Sequence, residues 1–306
     1  MSRKIFSLIL AIVTVFTMMT AAYAENTVTI TDMTGREITF SEPVTRMVVL
    51  TAADCEIVYA LGAGDTVIGR GEYCDYPAEV LDVAVVNSGT ETNIEQVLAL
   101  EPQVVLMSTM DQSEEQIVAL ENAGVKVVAS NADDIQGVYY CIEMIGAMLG
   151  KDAEAEAMVN EMKATFDKIA ADAASSEAAG KRVYLEVSPL QWGLWAGCKG
   201  TFMDEIITMC GLTNIFGDIE GWQQVSEEQV IERNPDYIVS TTMYFGEGPM
   251  PVEEIMGRTG WENISAVVSG NVFNADNNEV TRPGPRLTNA AVSLYNFFNG
   301  INVEAE

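Results

Sequence analysis

NIEQVLALEPQVV at residues 93–105 and SEEQVIERNPDYI at residues 226–238 are two copies of one pattern, aligned without a gap at a constant offset. In each copy an Asn or Ser (Asn93, Ser226) stands where a helix N-cap accepts a first-turn N–H. A glutamate (Glu95, Glu228) follows within that turn. A proline (Pro102, Pro235) then ends the helix ahead of an apolar run that reads as a buried strand. The offset persists to 109–110 and 242–243. Such a repeat predicts two lobes of equivalent design that present related elements symmetrically.

Around the first copy, 46–50, 67–69, 104–107 and 125–129 read as short apolar strands. The segments 53–61, 93–100 and 113–123 read as the helices between them. Strands of four to six apolar residues separated by helices predict parallel βαβ units with both sheet faces covered. Ahead of them, 28–40 alternates in polarity and turns at 33–35, which predicts a small hairpin. Around the second copy the same rhythm predicts strands at 182–187, 237–240 and 272–275, with helices at 202–210, 227–233 and 289–298. Between the halves, 151–179 contains no Gly or Pro, and Met158, Met162, Phe166 and Ile169 fall on one helical face. About 25 residues of helix would reach nearly 40 Å at 1.5 Å per residue, enough to lie across two lobes.

The chain opens with Arg3 and Lys4, an apolar run over 5–19, and Ala22 and Ala24 at the positions a signal peptidase reads. This order predicts a secretory signal peptide over 1–24, cleaved before Glu25. The run is short for a membrane span, which needs roughly 20 apolar residues. No Cys lies near the cleavage site, so a lipid anchor is not expected. The whole chain of 306 residues carries 16 basic and 45 acidic side chains, for a net charge of −29. A polyanion of this size is repelled by nucleic acid and anionic lipid, and is attracted to basic surfaces and cationic ligands.

Histidine is absent. That removes Ser-His-Asp and Cys-His hydrolysis and the His-rich sites that usually hold zinc or copper. The five cysteines form no C-x-x-C pair, and an odd count leaves at least one thiol free or intermolecular. A Cys198–Cys210 bridge is one possible pairing. Glu95 and Glu228 carry two readings. A carboxylate in a helix's first turn offsets the macrodipole by about 0.3–1 kcal/mol. Two such carboxylates, one per lobe, could also clamp a partner that carries basic residues at matching separation.

The order of several segments resembles the ABC-importer substrate-binding proteins for ferric siderophores, haem and cobalamin. They are ITDMTGREITF at 30–40, RMVVL at 46–50, LGAGDTVIG at 61–69, YCDYP at 73–77, GTFMD at 200–204, WQQVSEE at 222–228, and RPGPR at 282–286, together with both copies of the repeat. The resemblance implies an α/β protein of two Rossmann-like lobes joined by one long backbone helix, with the ligand cleft between lobes. The expected divisions are 25–134 for the N-terminal lobe, 135–179 for the linking helices and 180–306 for the C-terminal lobe. It further implies docking of Glu95 and Glu228 onto arginines of a permease dimer served by its ATPase.

By the same resemblance, Tyr73, Trp195 and Trp222 are ligand-contact aromatics and Arg282 a contact for anionic substituents. The segment 88–90 lacks a tryptophan that the vitamin B12-binding members carry there. Arg286 reads as either a turn-fixing residue or a ligand contact. Haem would need an axial ligand from Tyr73, Met110, Met243 or Tyr244. No catalytic residue, bound cofactor or protein metal site is expected. The expected protein is a periplasmic, unanchored monomer that carries a metal chelate, with a ferric siderophore ahead of a cobamide. The alternatives are a haem-binding or sensor protein of the same fold, and an exported carboxylate-dependent hydrolase.

Overall fold

The computed structural model describes residues 27–88, 92–108 and 114–301; the expected signal peptide, Met110 and most of 88–90 lie outside them. The chain begins with a hairpin, β1 (Val28–Thr31) and β2 (Glu37–Phe40), paired from Val28↔Phe40 to Thr31↔Glu37. Gly35 closes its turn at φ 85°, a left-handed conformation that glycine adopts without strain. Asp32 ties the hairpin down. Its carboxylate accepts from Thr34, from Arg36 and from the backbone N–H of Ala129.

The first lobe continues with β3 (Met47–Val49), α1 (Ala52–Ala60), β4 (Val67–Arg70), α2 (Ile94–Ala99), β5 (Val104–Ser108), α3 (Glu114–Asn122) and β6 (Lys126–Ser130). Its sheet runs β4-β3-β5-β6 and all three pairings are parallel. Successive residues serve opposite faces, as the pleat demands. Met47 and Val49 enter the core shared with the linking helices, while Val48 and Leu50 enter a separate core beneath α2 and α3.

Two helices link the lobes. The first, α4 (Ile135–Leu149), is buried over most of its length and ends at Gly150 with φ 68°. The second, α5 (Asp152–Ala173), has 22 residues, about 33 Å at 1.5 Å per residue. The helix expected over 151–179 therefore stops six residues early. After Ala173 the i→i+3 bonds of Ser175 and Ser176 tighten the chain into turns. The buried stripe of α5 is Ala155, Val159, Met162, Phe166, Ile169 and Ala173.

The second lobe contains β7 (Arg182–Ser188), β8 (Trp195–Gly197), α6 (Phe202–Met209), β9 (Thr213–Asn214), β10 (Trp222–Gln224), α7 (Glu227–Arg233), β11 (Tyr237–Ser240), α8 (Pro251–Met256), α9 (Ser265–Ser269), β12 (Val272–Asn274), α10 (Asn277–Thr281) and α11 (Leu287–Phe298). The sheet order is β10-β8-β7-β11-β12, with β9 also on β7; the β10–β8 and β8–β7 pairings are antiparallel, the others parallel. The long α5 packs on α4, α6 and α11, so one rod supports both lobes.

The repeat read in the sequence is a repeat in space. Among the described residues, the non-glycine residues with positive φ are Glu101 (49°) and Asn234 (42°), which occupy equivalent positions just before Pro102 and Pro235. An arginine at the start of one strand in each lobe, just before β3 and as the first residue of β7, reaches these stops. Arg46 donates to the carbonyls of Leu100 and Glu101, and Arg182 to that of Asn234.

The Cys198–Cys210 bridge is not formed, and all five thiols are free and buried. Cys198 packs in the core under β8 with Leu194 and Trp261, whereas Cys210 packs in the core with α5 and α11. The two cysteines serve different cores of this lobe, which forbids the bridge.

Candidate functional site

In a parallel α/β sheet, ligands collect where the strands end and the loops begin. Both sheets here turn that edge toward one cavity of about 280 Å³ between the lobes. Thr51 and Asp54 follow β3, Ser108 ends β5, Ser130 ends β6, and Asn131 and Asp133 follow it. From the other lobe come Val187 at the end of β7, Phe202 and Met203 at the start of α6, Trp222 on β10, and Pro283. A second, more open hollow of about 590 Å³ shares Asp133 and Trp222 with it and is also lined by Lys199 and Glu220.

Most of the polar groups come from the first lobe, with Thr281 from the second. Asp54 is 2% exposed, and its Oδ2 accepts from the hydroxyls of Thr51 (2.5 Å) and Ser130 (2.6 Å). Among the described residues only the Cys141 thiol, at 3.4 Å, reaches Oδ1. Burial raises the Asp54 pKa above its ordinary value, against the pull of these donors. Thr51 is the N-cap of α1, yet its hydroxyl serves Asp54 rather than the helix. The second lobe supplies the apolar wall, in which Trp222 meets Phe202 edge-on with centroids 5.6 Å apart.

Two sets of contacts cross between the lobes. Phe202 donates its N–H to the Asp133 carbonyl (2.7 Å), and beside it Ile135, at the head of the linking helix α4, donates to Glu205 Oε2 (2.7 Å). Elsewhere, Glu56 on α1 is held by two arginines from the other lobe. Arg282 Nη1 reaches its Oε1 at 2.8 Å, while Arg286 reaches both oxygens at 2.7 and 2.8 Å. Arg282 also meets Asp75 Oδ1 (2.6 Å) and the Tyr73 carbonyl (3.3 Å), and the Arg286 guanidinium lies 4.1 Å from the Tyr76 ring centroid. Burial works against the Asp75 carboxylate, but Arg282 outweighs it and holds the pKa below the ordinary value.

Of the four expected ligand contacts, the cavity takes in Trp222. Tyr73 is 74% exposed on the loop after β4, and Trp195 is 40% exposed on β8, opposite Gln224. Arg282 sits between two cavity residues, Thr281 and Pro283, but spends its charge on Glu56 and Asp75. Arg286 fixes the segment through Glu56 and Tyr76. The haem-ligand candidates Met243 and Tyr244 are exposed and do not line the cavity. Asp54, Ser130 and Asp133 were not singled out in the sequence; their place just past a strand's C-terminal end was the available signal. Among the described residues no group of three or more Cys, Asp or Glu side chains is arranged to hold a metal ion.

Glu95 and Glu228 both lie exposed in the first turns of α2 and α7. Asn93 caps α2 by accepting from Gln96 N, and Ser226 with Gln229 forms a reciprocal capping box on α7. The two carboxylates are thus fixed on equivalent, well-capped helices.

Residues 47–279 match the family model described as periplasmic binding protein. This chain belongs to the periplasmic binding protein family. An ABC transporter substrate-binding lipoprotein of Bacillus subtilis, itself uncharacterized, is 36% identical over 87% of this chain and 84% of its own. The vitamin B12-binding protein of Salmonella choleraesuis is 27% identical over 84% of this chain and 91% of its own. In structure, a possible iron-binding, periplasmic solute-binding protein of Staphylococcus epidermidis aligns with a TM-score of 0.72 at 28% identity, covering 84% of this chain and 99% of that one. The family is a solute-binding type. Among the described residues no helix is long and apolar enough to cross a membrane.

Proposed function

We propose that this binding protein captures a metal chelate with a large organic periphery between its lobes and delivers it to an ABC importer. The observation that carries this reading is the interlobe cavity, apolar on one wall and hydrogen-bonding on the other. Such a lining suits a chelate's organic shell better than a bare ion, which would need converging ligands. The hairpin and the RPGPR segment favour a ferric siderophore; relatives named for vitamin B12 or cobalamin binding favour a corrinoid. Tyr73 and Trp195 would act as outer rim contacts and Trp222 as the inner wall.

Glu95 and Glu228 would dock on basic residues of the permease dimer, one lobe per subunit. Export by a cleaved signal, an untethered life in the periplasm and action as a monomer complete the reading. The divisions 25–134, 135–179 and 180–306 are the proposed functional units.

Native mass spectrometry of the mature protein against cobalamin, cobinamide, haemin and several ferric siderophores tests the ligand class. Capture below about 10 μM, equivalent to about −7 kcal/mol, is expected for at least one. Failure with all of them sinks the class. For docking, the double variant Glu95→Arg, Glu228→Arg should bind ligand normally while uptake fails; intact uptake removes the docking role.

A further inference from the structure

The charges around the cavity are one-sided. The ionisable carboxyls on its lining are Asp54 and Asp133, and among the described residues no lysine or arginine lines it. The nearby cations are already used: Arg282 and Arg286 bring two positive charges, and Glu56 and Asp75 answer with two negative ones. In the second hollow, Lys199 faces Glu220 at 3.8 Å. Beyond this, the whole chain carries a net charge of −29, which repels an approaching anion.

Asp54 is the polar centre of the inner wall. Its Oδ2 is saturated by two hydroxyls, whereas among the described residues Oδ1 has only a thiol, a weak donor, at 3.4 Å. A carboxyl buried with unused acceptor capacity beside an apolar cavity rewards a ligand that brings an N–H to it. The same carboxyl penalises a ligand that brings another carboxylate or catecholate oxygen, because the low local dielectric strengthens repulsion. On the wall of Val187, Phe202, Met203 and Trp222 the side-chain donor is the neutral indole N–H of Trp222, and no cation there compensates an anion's charge.

We infer that this cavity selects a chelate without net negative charge, one whose periphery carries ammonium or amide N–H groups, and that Asp54 is the residue setting that preference. The inference rests on the chelate-capture reading above. It separates neutral corrinoids and neutral or cationic ferric hydroxamates, which fit, from haem with its propionates and from ferric catecholates, which do not.

The test is isothermal titration of the mature protein with probes sorted by charge. Ferrioxamine B carries a pendant ammonium, cyanocobalamin is neutral and rich in amides, and haemin and a ferric tris-catecholate are anionic. The best neutral or cationic probe should bind at least 100-fold tighter than either anionic one, about 2.7 kcal/mol. Equal or tighter binding of an anionic probe overturns the inference and leaves chelate capture standing. Binding of none overturns both.

Asp54→Asn keeps the shape and the acceptor for Thr51 and Ser130. It should lower the ratio of ferrioxamine B to cyanocobalamin affinity about tenfold, with an unfolding midpoint near that of the parent. An unchanged ratio removes Asp54 from the selection. Asp133→Asn, at the mouth and off the Asp54 network, gives an independent reading. A fall in the same ratio supports the charge argument, and no change in either variant refutes it.

Discussion

Replacing Glu56 by Gln isolates the ion-pair cluster that ties the lobes together. The Glu56 side chain is 2% exposed and accepts three guanidinium hydrogen bonds at 2.7–2.8 Å from residues more than 220 positions away. Removing one partner of a buried pair costs about 3–5 kcal/mol when the other is left stranded. Here Arg282 keeps Asp75 at 2.6 Å, and Arg286 keeps the Tyr76 ring and is 15% exposed. The expected loss is therefore about 2–3 kcal/mol. At roughly 2–4 °C per kcal/mol for a chain of this size, the melting midpoint should fall by about 4–12 °C.

Urea unfolding followed by tryptophan fluorescence measures this loss directly. A double variant with Arg286→Gln supplies the coupling, and its loss should fall short of the summed single losses by at least about 1 kcal/mol. Unchanged stability of Glu56→Gln, within about 0.5 kcal/mol, would show that the cluster does not hold the lobes.

Other perturbations probe the packing and the buried groups. A Cβ on Gly146 would stand 2.5 Å from the Ala155 Cβ where α4 crosses α5. Gly146→Val should therefore lose about 1–3 kcal/mol by denaturant unfolding, and a neutral result would refute that tight crossing. Asp54 has a folded-state pKa raised by burial above 3.8, so between those values the native state holds more protons than the unfolded chain. Stability should fall as pH rises through that window, and Asp54→Asn should flatten the slope; an unchanged slope assigns the linkage elsewhere. The thiols are buried, and burial pushes Cys198 up to about 11 and Cys210 up to about 12. Ellman's reagent should find almost none in the native protein and five in denaturant without reductant. Three would reveal a disulfide.

Where local chemistry repeats strongly, the sequence was readable. The helix of α7, the strand of β11 and the hairpin at 28–40 lie where periodicity and caps put them, and the gapless repeat at 93–105 and 226–238 anticipated the paired lobes. The helix α4 escaped as an individual element because it is buried on most sides, contains Gly137 and Gly146, and has no long polar face to mark its period. The short β8, β10, α8, α9 and α10 are set by tertiary contacts rather than by propensity.

The site was harder to read for a related reason. Arg282 looked available because its partners, Glu56 and Asp75, are more than 200 residues away in sequence. Asp54 looked like an ordinary first-turn acid. Only the approach of Ser130 from β6 and Cys141 from α4 makes it a buried carboxyl at a cavity wall.

The outside of the molecule is duplicated, but the inside is not. Glu95 and Glu228, Arg46 and Arg182, and Glu101 and Asn234 are matched pairs at equivalent positions of the repeat, whereas the first lobe lines the cavity mostly with hydroxyls and carboxyls and the second mostly with Val187, Phe202, Met203 and Trp222. A cargo held between unlike walls has a head and a tail. Under the docking proposed for Glu95 and Glu228, such a carrier could meet a two-fold partner in either of two poses related by half a turn. Those poses would present the same cargo in opposite senses, so the translocation pathway must be indifferent to cargo orientation, or else the small differences between the matched pairs decide which pose is used.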